Sequence, residues 1–107
     1  MEIIATGELR RYLKENLPKF DQPIIFISTD FIPGCPKCNS SATVYYIRMQ
    51  EKSALPEGPT VIKVKNHKFP IDVYINHPLE KGPPRKVVIG TRESKGELRM
   101  ILRRVLD

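Results

Sequence analysis

The two cysteines of the chain lie close together, in the segment GCPKCNSS at residues 34–41. Two thiols separated by two residues can cycle between a dithiol and a disulfide, or they can supply half of the ligands of a zinc site. A third possibility is a structural disulfide or a pair of inert thiols, since intracellular disulfides occur in some hyperthermophiles. The tetrapeptide from Cys35 to Cys38 does not distinguish these, so the elements around it must decide.

The composition indicates one soluble domain spanning residues 1–107, with 40% hydrophobic and 28% charged residues. No apolar run approaches the roughly 18 residues needed to cross a bilayer, so we expect no membrane partner. The first residues lack the basic start and apolar stretch of a signal peptide. We therefore expect a cytoplasmic protein, in which a close cysteine pair is more often redox-active or metal-binding than structural.

The net charge of +6 raises the possibility of a nucleic-acid partner. The charges are interspersed along most of the chain, however. The notable basic stretch without acids is TVIKVKNHKF, which contains Lys63, Lys65 and Lys68. A solvated, lysine-rich surface is the simpler explanation of this composition, so nucleic acid is possible but not favoured.

The first half of the chain predicts a strand at residues 2–5, a helix and a buried strand. Thr6 is a candidate N-cap, and Pro18 ends the helix. The apolar run at residues 24–27 is typical of a strand buried on both faces. The stretch ATVYYIRM is ambiguous between a strand and a helix, and a helix is favoured because its apolar residues have helical spacing. These residues are Ala42, Tyr45, Tyr46 and Met49.

The second half predicts three strands and a final helix. The strands are TVIKVK, PIDVYI, which begins at Pro70, and KVVIGT. Ser94 and Glu97 have the spacing of a capping box, which predicts the start of the final helix. Its apolar face is formed by Leu98, Ile101, Leu102, Val105 and Leu106.

This order of elements resembles that of the thioredoxin and glutaredoxin superfamily. The motif CPKC is similar to the glutaredoxin form, and FPIDVYINH resembles the family's strand that opens with a cis-proline, which here is Pro70. The resemblance implies an α/β (α+β) fold of thioredoxin type. Its mixed sheet has four to five strands and is flanked by two or three helices.

The function implied by this resemblance is that of a small thiol–disulfide oxidoreductase acting on protein disulfides, without cofactor or metal. Cys35 begins a helix, where unpaired N–H groups and the helix dipole lower the pKa of its thiol. Cys35 then attacks a substrate disulfide, and Cys38 resolves the mixed disulfide. Pro70 faces the cysteine pair in this arrangement.

A second, partial resemblance leads to a different function. CPKCNSSATVYYIRMQEKSALPEGPT is similar to the zinc ribbons of transcription elongation factors and small RNA-polymerase subunits. The alternative function is therefore a zinc-binding module that interacts with nucleic acid or RNA polymerase. A structural zinc site needs four ligands, and only His67 and His77 could join the cysteines. A strand separates these histidines, so at most one can do so. A second alternative is a thioredoxin-like protein with a structural disulfide and a binding role.

Overall fold

The computed structural model describes residues 2–32, 42–64, 69–77 and 84–106. These ranges contain seven β-strands and one α-helix. In chain order they are β1 (Glu2–Ala5), α1 (Leu9–Asn16), β2 (Pro23–Ile32), β3 (Ala42–Glu51), β4 (Val61–Val64), β5 (Val73–Asn76), β6 (Lys86–Ser94) and β7 (Glu97–Leu106). The predicted thioredoxin-like fold, a single sheet flanked by two or three helices, is therefore wrong, because the described ranges are mostly strand and form two mixed sheets with one α-helix.

The strands form a three-stranded sheet in the order β1-β6-β7 and a four-stranded sheet in the order β3-β2-β5-β4. In the first sheet β1 is parallel to β6, and β6 and β7 form an antiparallel hairpin. In the second sheet β2 pairs with β3 in antiparallel and with β5 in parallel orientation, while β4 and β5 are antiparallel. The pairing of β2 with β3 extends from Pro23–Glu51 to Ile32–Ala42.

The core lies between the two sheets and α1. Each strand turns alternate side chains inward, and these inward positions are mostly Ile and Val. The fully buried ones are Ile25, Ile27, Val73, Ile75, Val87 and Ile89. From α1, Leu9 and Leu13 join this cluster one turn apart. No helix in the described part of the chain has the length and apolar character to cross a membrane.

The helix favoured for the residues after Cys38 is wrong, because residues 42–51 form β3. Tyr45, Ile47 and Met49 alternate along β3 and pack against the core, as a strand requires. Tyr46 lies on the opposite face and is 52% exposed. Tyr46 gave the sequence its helical spacing, because it is a large aromatic residue on the face of β3 that points away from the core.

The final helix predicted from Ser94 is also wrong, because residues 97–106 form β7. Ser94 and Glu97 do not form a capping box; they are the paired ends of the β6–β7 hairpin. The two residues between them, Lys95 and Gly96, have φ angles of 52° and 76°. Two consecutive positive φ angles define a type I′ turn, whose twist suits a two-residue hairpin.

Other predicted elements are confirmed: β1, α1 and the buried strand that begins β2 lie where the sequence indicated them. The predicted N-cap is wrong, because Glu8 rather than Thr6 precedes the first turn of α1. The strand predicted to open at Pro70 begins instead at Val73. None of the peptide bonds in the described ranges is cis, so the bond between Phe69 and Pro70 is trans. The predicted cis-proline, on which the resemblance to thioredoxins partly rested, is therefore wrong.

Candidate functional site

The solvent side of the β1-β6-β7 sheet is strongly cationic, and we call it the basic face. Val87 and Ile89 of β6 point into the core, so the alternate positions of the hairpin point to solvent. The basic residues of this side are Lys86, Arg92, Arg99, Arg103 and Arg104. The acidic residues at the corresponding positions of β1 and β7 are Glu2 and Glu97.

Arg92 of β6 stands directly opposite Arg99 of β7 in the antiparallel register, and both side chains are exposed. Side chains in such positions are close, and like charges there destabilise a sheet. Arg99 Nη2 lies 3.4 Å from Glu97 Oε2, but this ion pair is about two-thirds exposed and contributes little. Arg92 forms no ion pair within the described ranges.

A β-bulge in β7 brings two consecutive arginines to the basic face. Val88 pairs with Arg104 and Ile89 pairs with Leu102, so Arg103 is the extra residue of the bulge. Consecutive residues of a regular strand point to opposite faces. The bulge interrupts this alternation, and the side chains of Arg103 and Arg104 both lie on the solvent side.

Gly90 provides the space for Arg103. A Cβ atom at Gly90 would lie 2.8 Å from Arg103 Cδ and 2.8 Å from Thr6 Oγ1, which is closer than side chains pack. Arg103 crosses the strand at this point, and its Nη2 donates a hydrogen bond to the carbonyl oxygen of Thr91 at 2.8 Å. This contact fixes the guanidinium in place while the residue stays exposed.

The turn between β1 and α1 holds this part of β6. Thr6 Oγ1 donates to the carbonyl oxygen of Ile89 at 3.3 Å, and the backbone N–H of Glu8 donates to Thr91 Oγ1 at 3.2 Å. Gly7 adopts a φ of +62°, which a residue with a side chain adopts less readily. These bonds attach the turn before α1 to Ile89 and Thr91 of β6, the two neighbours of Gly90.

The basic face therefore presents four cations without an ion-pair partner among the described residues, namely Lys86, Arg92, Arg103 and Arg104. Guanidinium groups match the geometry of phosphate and carboxylate oxygens. No group of three or more His, Cys, Asp or Glu side chains within the described ranges could hold a metal ion. The arrangement can thus bind anions, and its exposed shape suits an extended partner.

The predicted catalytic residues Cys35 and Cys38 lie outside the described residues, as do Lys37 and His67. Both cysteines belong to the connection from β2 to β3, whose ends Ile32 and Ala42 are paired. Because residues 42–51 form a strand, the helix expected to begin at the cysteines and to favour the thiolate of Cys35 does not extend over them.

The structure places Pro70 and His77 on opposite sides of β5, one before the strand and one after it. Pro70 lines a groove beside α1. His77 follows the last residue of β5, and its backbone N–H donates to the carbonyl oxygen of Thr60 at 3.1 Å. Because β5 is parallel to β2, His77 lies toward the end of the sheet from which β2 continues to the cysteines.

The basic stretch identified in the sequence is not the strongest cationic surface. Lys63 lies 3.4 Å from Asp72, with which it forms an exposed ion pair, and Lys65 and Lys68 lie outside the described ranges. The arginines of β7 were missed because they were assigned to a helix. The available signal was Gly96, since glycine is favoured at the second position of a two-residue hairpin turn.

No protein-family model, no curated protein and no solved structure matches this chain.

Proposed function

We propose that the protein binds nucleic acid through the basic face, by contacts to the phosphate backbone. The observation that carries the proposal is the clustering of arginines on one open side of a sheet. Arg92 and Arg99 are opposite each other, and Arg103 and Arg104 follow each other on the same side.

This clustering has an energetic consequence in the free protein. Arginines that face each other repel, and the repulsion is not relieved for Arg92 by a carboxylate of the described residues. A phosphate placed between two guanidinium groups would convert this repulsion into two charge-assisted interactions. The free energy stored in the unliganded face thus favours an anionic partner over solvent.

The dimensions suit a polymer better than a single small anion. Arg99 and Arg104 pair with Arg92 and Val88, which are four residues apart on β6, so at about 3.4 Å per residue they are roughly 14 Å apart. Duplex DNA carries one phosphate charge per roughly 1.7 Å of its axis, so a surface of this length faces several phosphates at once. Lys86 extends the cationic surface along β6.

The remaining side chains of the basic face indicate which parts of a nucleic acid this surface can contact. Its other large residues are aliphatic and half-buried, namely Ile4, Val88, Ile101 and Leu106. No aromatic side chain of the described residues in this sheet faces solvent on that side, so the surface supplies no platform for base stacking. We expect contacts that position a nucleic-acid backbone and carry little sequence preference.

The salt dependence of binding tests this proposal. Fluorescence anisotropy with a labelled short duplex would give the dissociation constant at several salt concentrations. Each phosphate contact contributes roughly 0.9 to the slope of the logarithm of affinity against the logarithm of salt concentration. The double variant Arg92→Gln/Arg104→Gln should therefore lower the slope by about 1.8.

A matched control removes the same charge elsewhere. Lys19→Gln/Lys52→Gln changes two exposed lysines away from the basic face, and its slope should equal that of the parent protein. If both double variants lowered the salt-dependence slope equally, net charge alone would explain the effect, and the proposal would be overturned. Binding to polyglutamate but not to duplex or single-stranded nucleic acid would replace it with an acidic protein partner.

The dithiol reaction predicted from the sequence is a second proposal, independent of the basic face. The in-register pairing of β2 and β3 up to Ile32 and Ala42 favours it, because both cysteines fall within the short connection between two adjacent strand ends. In a reducing cytoplasm, where we propose that the protein acts, Cys35 would attack a protein disulfide. Cys38 would then displace the reduced substrate, leaving a disulfide between Cys35 and Cys38.

Two measurements on freshly purified protein test the dithiol proposal. A thiol count should give two reactive thiols after reduction and none after mild oxidation, without a change in molecular mass beyond two hydrogens. Metal analysis by mass spectrometry should find no stoichiometric zinc. One equivalent of zinc whose chelation unfolds the protein would favour the zinc-binding alternative instead.

A further inference from the structure

The four-stranded sheet has a side that points away from the core, and we call it the outer face. Phe26 lies between two core residues of β2, so its side chain points to the outer face. Arg48 of β3 and Tyr74 of β5 are both paired with Phe26, and Lys63 of β4 is paired with Tyr74. Paired residues of neighbouring strands point to the same side of a sheet. A row of two aromatic rings between two cations therefore crosses all four strands.

Arg48 is held above the ring of Phe26. Its Cζ atom lies 5.9 Å from the ring centroid, within the range of a cation–π interaction. Its Nε donates a hydrogen bond to Gln50 Oε1 at 2.6 Å. Phe26 is 4% exposed, whereas Arg48 is an exposed residue. The guanidinium therefore covers the ring in a fixed position and leaves its own outer side open to a partner.

Tyr46 provides an exposed aromatic ring next to Arg48. The two residues are two positions apart on β3, so they point to the same side and are about 6.8 Å apart along the strand. Tyr46 is the large apolar side chain most open to solvent in the part of the chain that the structure describes. It is paired with Ser28 of β2, whose side chain is too small to cover the ring. The ring can therefore stack on an aromatic ligand.

Tyr74 lies on the other side of Phe26 and lines an open cavity of about 500 Å³. The other apolar residues of this cavity are Leu55, Pro56 and Val61. Tyr74 is half-buried, so part of its ring remains accessible from the cavity. Two strand spacings, about 10 Å, separate it from Arg48. The outer face thus has accessible stacking groups on both sides of Phe26.

The charges of the outer face favour an anionic partner. Lys63 and Asp72 form an exposed ion pair at 3.4 Å. Lys52 and Glu57 both line the cavity, so their charges balance. Arg48 forms no ion pair with any residue that the structure describes. The described side chains therefore leave one uncompensated cation, which lies among the stacking groups.

An unpaired segment of nucleic acid fits these groups better than a duplex or a single nucleotide does. Bases within a duplex stack on each other, so their flat faces are not open to side chains. A small ligand binds in a concave site that buries most of its surface, whereas the outer face is open. A single strand gains affinity from each base that stacks on an aromatic side chain, and its phosphates carry the charge that Arg48 attracts.

A protein partner fits the outer face less well. The centre of a protein–protein interface is mostly apolar and contains few charged residues. The outer face instead carries Arg48 at its centre, with Ser28 on β2 and Asn76 on β5. Hydroxyl and amide groups donate and accept hydrogen bonds, as the edges of bases do.

We propose that the outer face binds an unpaired segment of nucleic acid, with bases stacked on Tyr46, Arg48 and Tyr74. The site contacts bases, whereas the basic face contacts the phosphate backbone. It lies on a different sheet from the basic face and does not depend on it, so each surface can be tested separately.

Two labelled oligonucleotides of equal length test the proposal, namely pentathymidylate and a pentamer of abasic sites. They carry the same phosphates, and only the first has bases. In fluorescence anisotropy the parent protein should bind pentathymidylate at least about fivefold more tightly. Tyr46→Ala should weaken this binding by at least about fivefold and leave the affinity for the abasic pentamer within about twofold.

Arg48→Lys separates stacking from charge, because lysine keeps the cation and lacks the planar group. It should also weaken binding of pentathymidylate and leave binding of the abasic pentamer within about twofold. Tyr46→Phe is the matched control, since it keeps an aromatic ring and should keep the preference for bases. Positions 46 and 48 are exposed, so these variants are expected to fold.

Carbon-13 aromatic NMR locates the bound bases. Pentathymidylate should shift the ring signals of Tyr46 and Tyr74 and leave those of Tyr12 on α1 unchanged. The variant Arg92→Gln/Arg104→Gln should keep both the preference for bases and these shifts, even if its binding of duplex differs from that of the parent.

Equal affinity of the parent protein for the two pentamers overturns the proposal. Loss of the preference in Arg92→Gln/Arg104→Gln also overturns it, because the bases would then bind at the basic face. An acidic peptide that shifts the ring signals of Tyr46, in a protein that does not bind pentathymidylate, would replace the nucleic acid with a protein partner.

Discussion

The side chain of Arg103 lies across Gly90, so that a Cβ atom at position 90 would come within 2.8 Å of Arg103 Cδ. The same Cβ would lie 2.8 Å from Thr6 Oγ1, which donates to the carbonyl oxygen of Ile89. Gly90 thus joins three features: the bulge in β7, the turn before α1 and the position of a guanidinium on the basic face. A change at this glycine should affect both stability and anion binding.

Gly90→Ala should lower the free energy of unfolding by about 1–3 kcal/mol, because a methyl group must displace both Arg103 and Thr6. Urea denaturation followed by circular dichroism would measure this change. The control is Gly58→Ala, where a Cβ meets no atom within 4 Å. Its stability should be unchanged or raised by up to about 1 kcal/mol, since alanine restricts the unfolded chain. Equal destabilisation in both variants would show that Arg103 does not occupy the space above Gly90.

Arg92→Gln should raise the stability of the free protein by about 0.2–1 kcal/mol at low salt, because it removes the repulsion from Arg99 across the hairpin. The gain should decrease at high salt, where the exposed charges are screened. Denaturation at two salt concentrations measures both effects, with Lys52→Gln as a control for net charge. A variant that is less stable than the parent at low salt would contradict the proposed repulsion.

Two substitutions in the β6–β7 turn should have opposite effects. Lys95 has a φ of 52°, a region that asparagine adopts more readily than lysine, so Lys95→Asn should raise stability by a few tenths of a kcal/mol. Gly96 has a φ of 76°, and Gly96→Ala should lower stability by about 1–2 kcal/mol. Thermal unfolding of both variants gives these differences. If Gly96→Ala changed the stability no more than Gly58→Ala does, this result would argue against the type I′ turn.

The sequence-based prediction was correct where the spacing of apolar residues fitted only one type of secondary structure. The stretch before Pro18 has helical spacing and a proline stop, and α1 forms there. In β7 the bulge at Arg103 separates Leu102 from Val105 by three positions, although both pack against the core. An interval of three is typical of a helix, so the bulge gave a strand the appearance of a helix.

The candidate site was missed for the same reason. Two consecutive arginines are placed on different sides of a regular strand, and only the bulge brings Arg103 and Arg104 to the same side. The isolated glycine in KVVIGT was an available signal, since a glycine within a strand often marks a close approach of other atoms. The cysteine pair, in contrast, was conspicuous in the sequence, but its spacing fits several chemistries and depends on the elements that surround it.

Tyr12 on α1 provides a prediction about pH. Burial raises the pKa of its phenol above the ordinary value, and the nearby carboxylate of Glu97 raises it further. The unfolded chain therefore loses this proton at a lower pH than the folded protein does. As the pH rises above about 10, the unfolded state binds fewer protons at this group, and the stability of the folded state falls. Denaturation in urea at pH values from about 9 to 11 measures this loss.

Tyr12→Phe should lose less stability than the parent protein over the same pH range, because it has no phenol to ionise, while the other titrating groups are unchanged. Glu97→Gln keeps the phenol and removes the carboxylate, so its loss should lie between those of the parent and Tyr12→Phe. Parallel stability curves for the parent and Tyr12→Phe would show that the pKa of Tyr12 is the same in the folded and unfolded states. Because burial is the larger cause, Glu97→Gln is expected to retain most of the pH dependence.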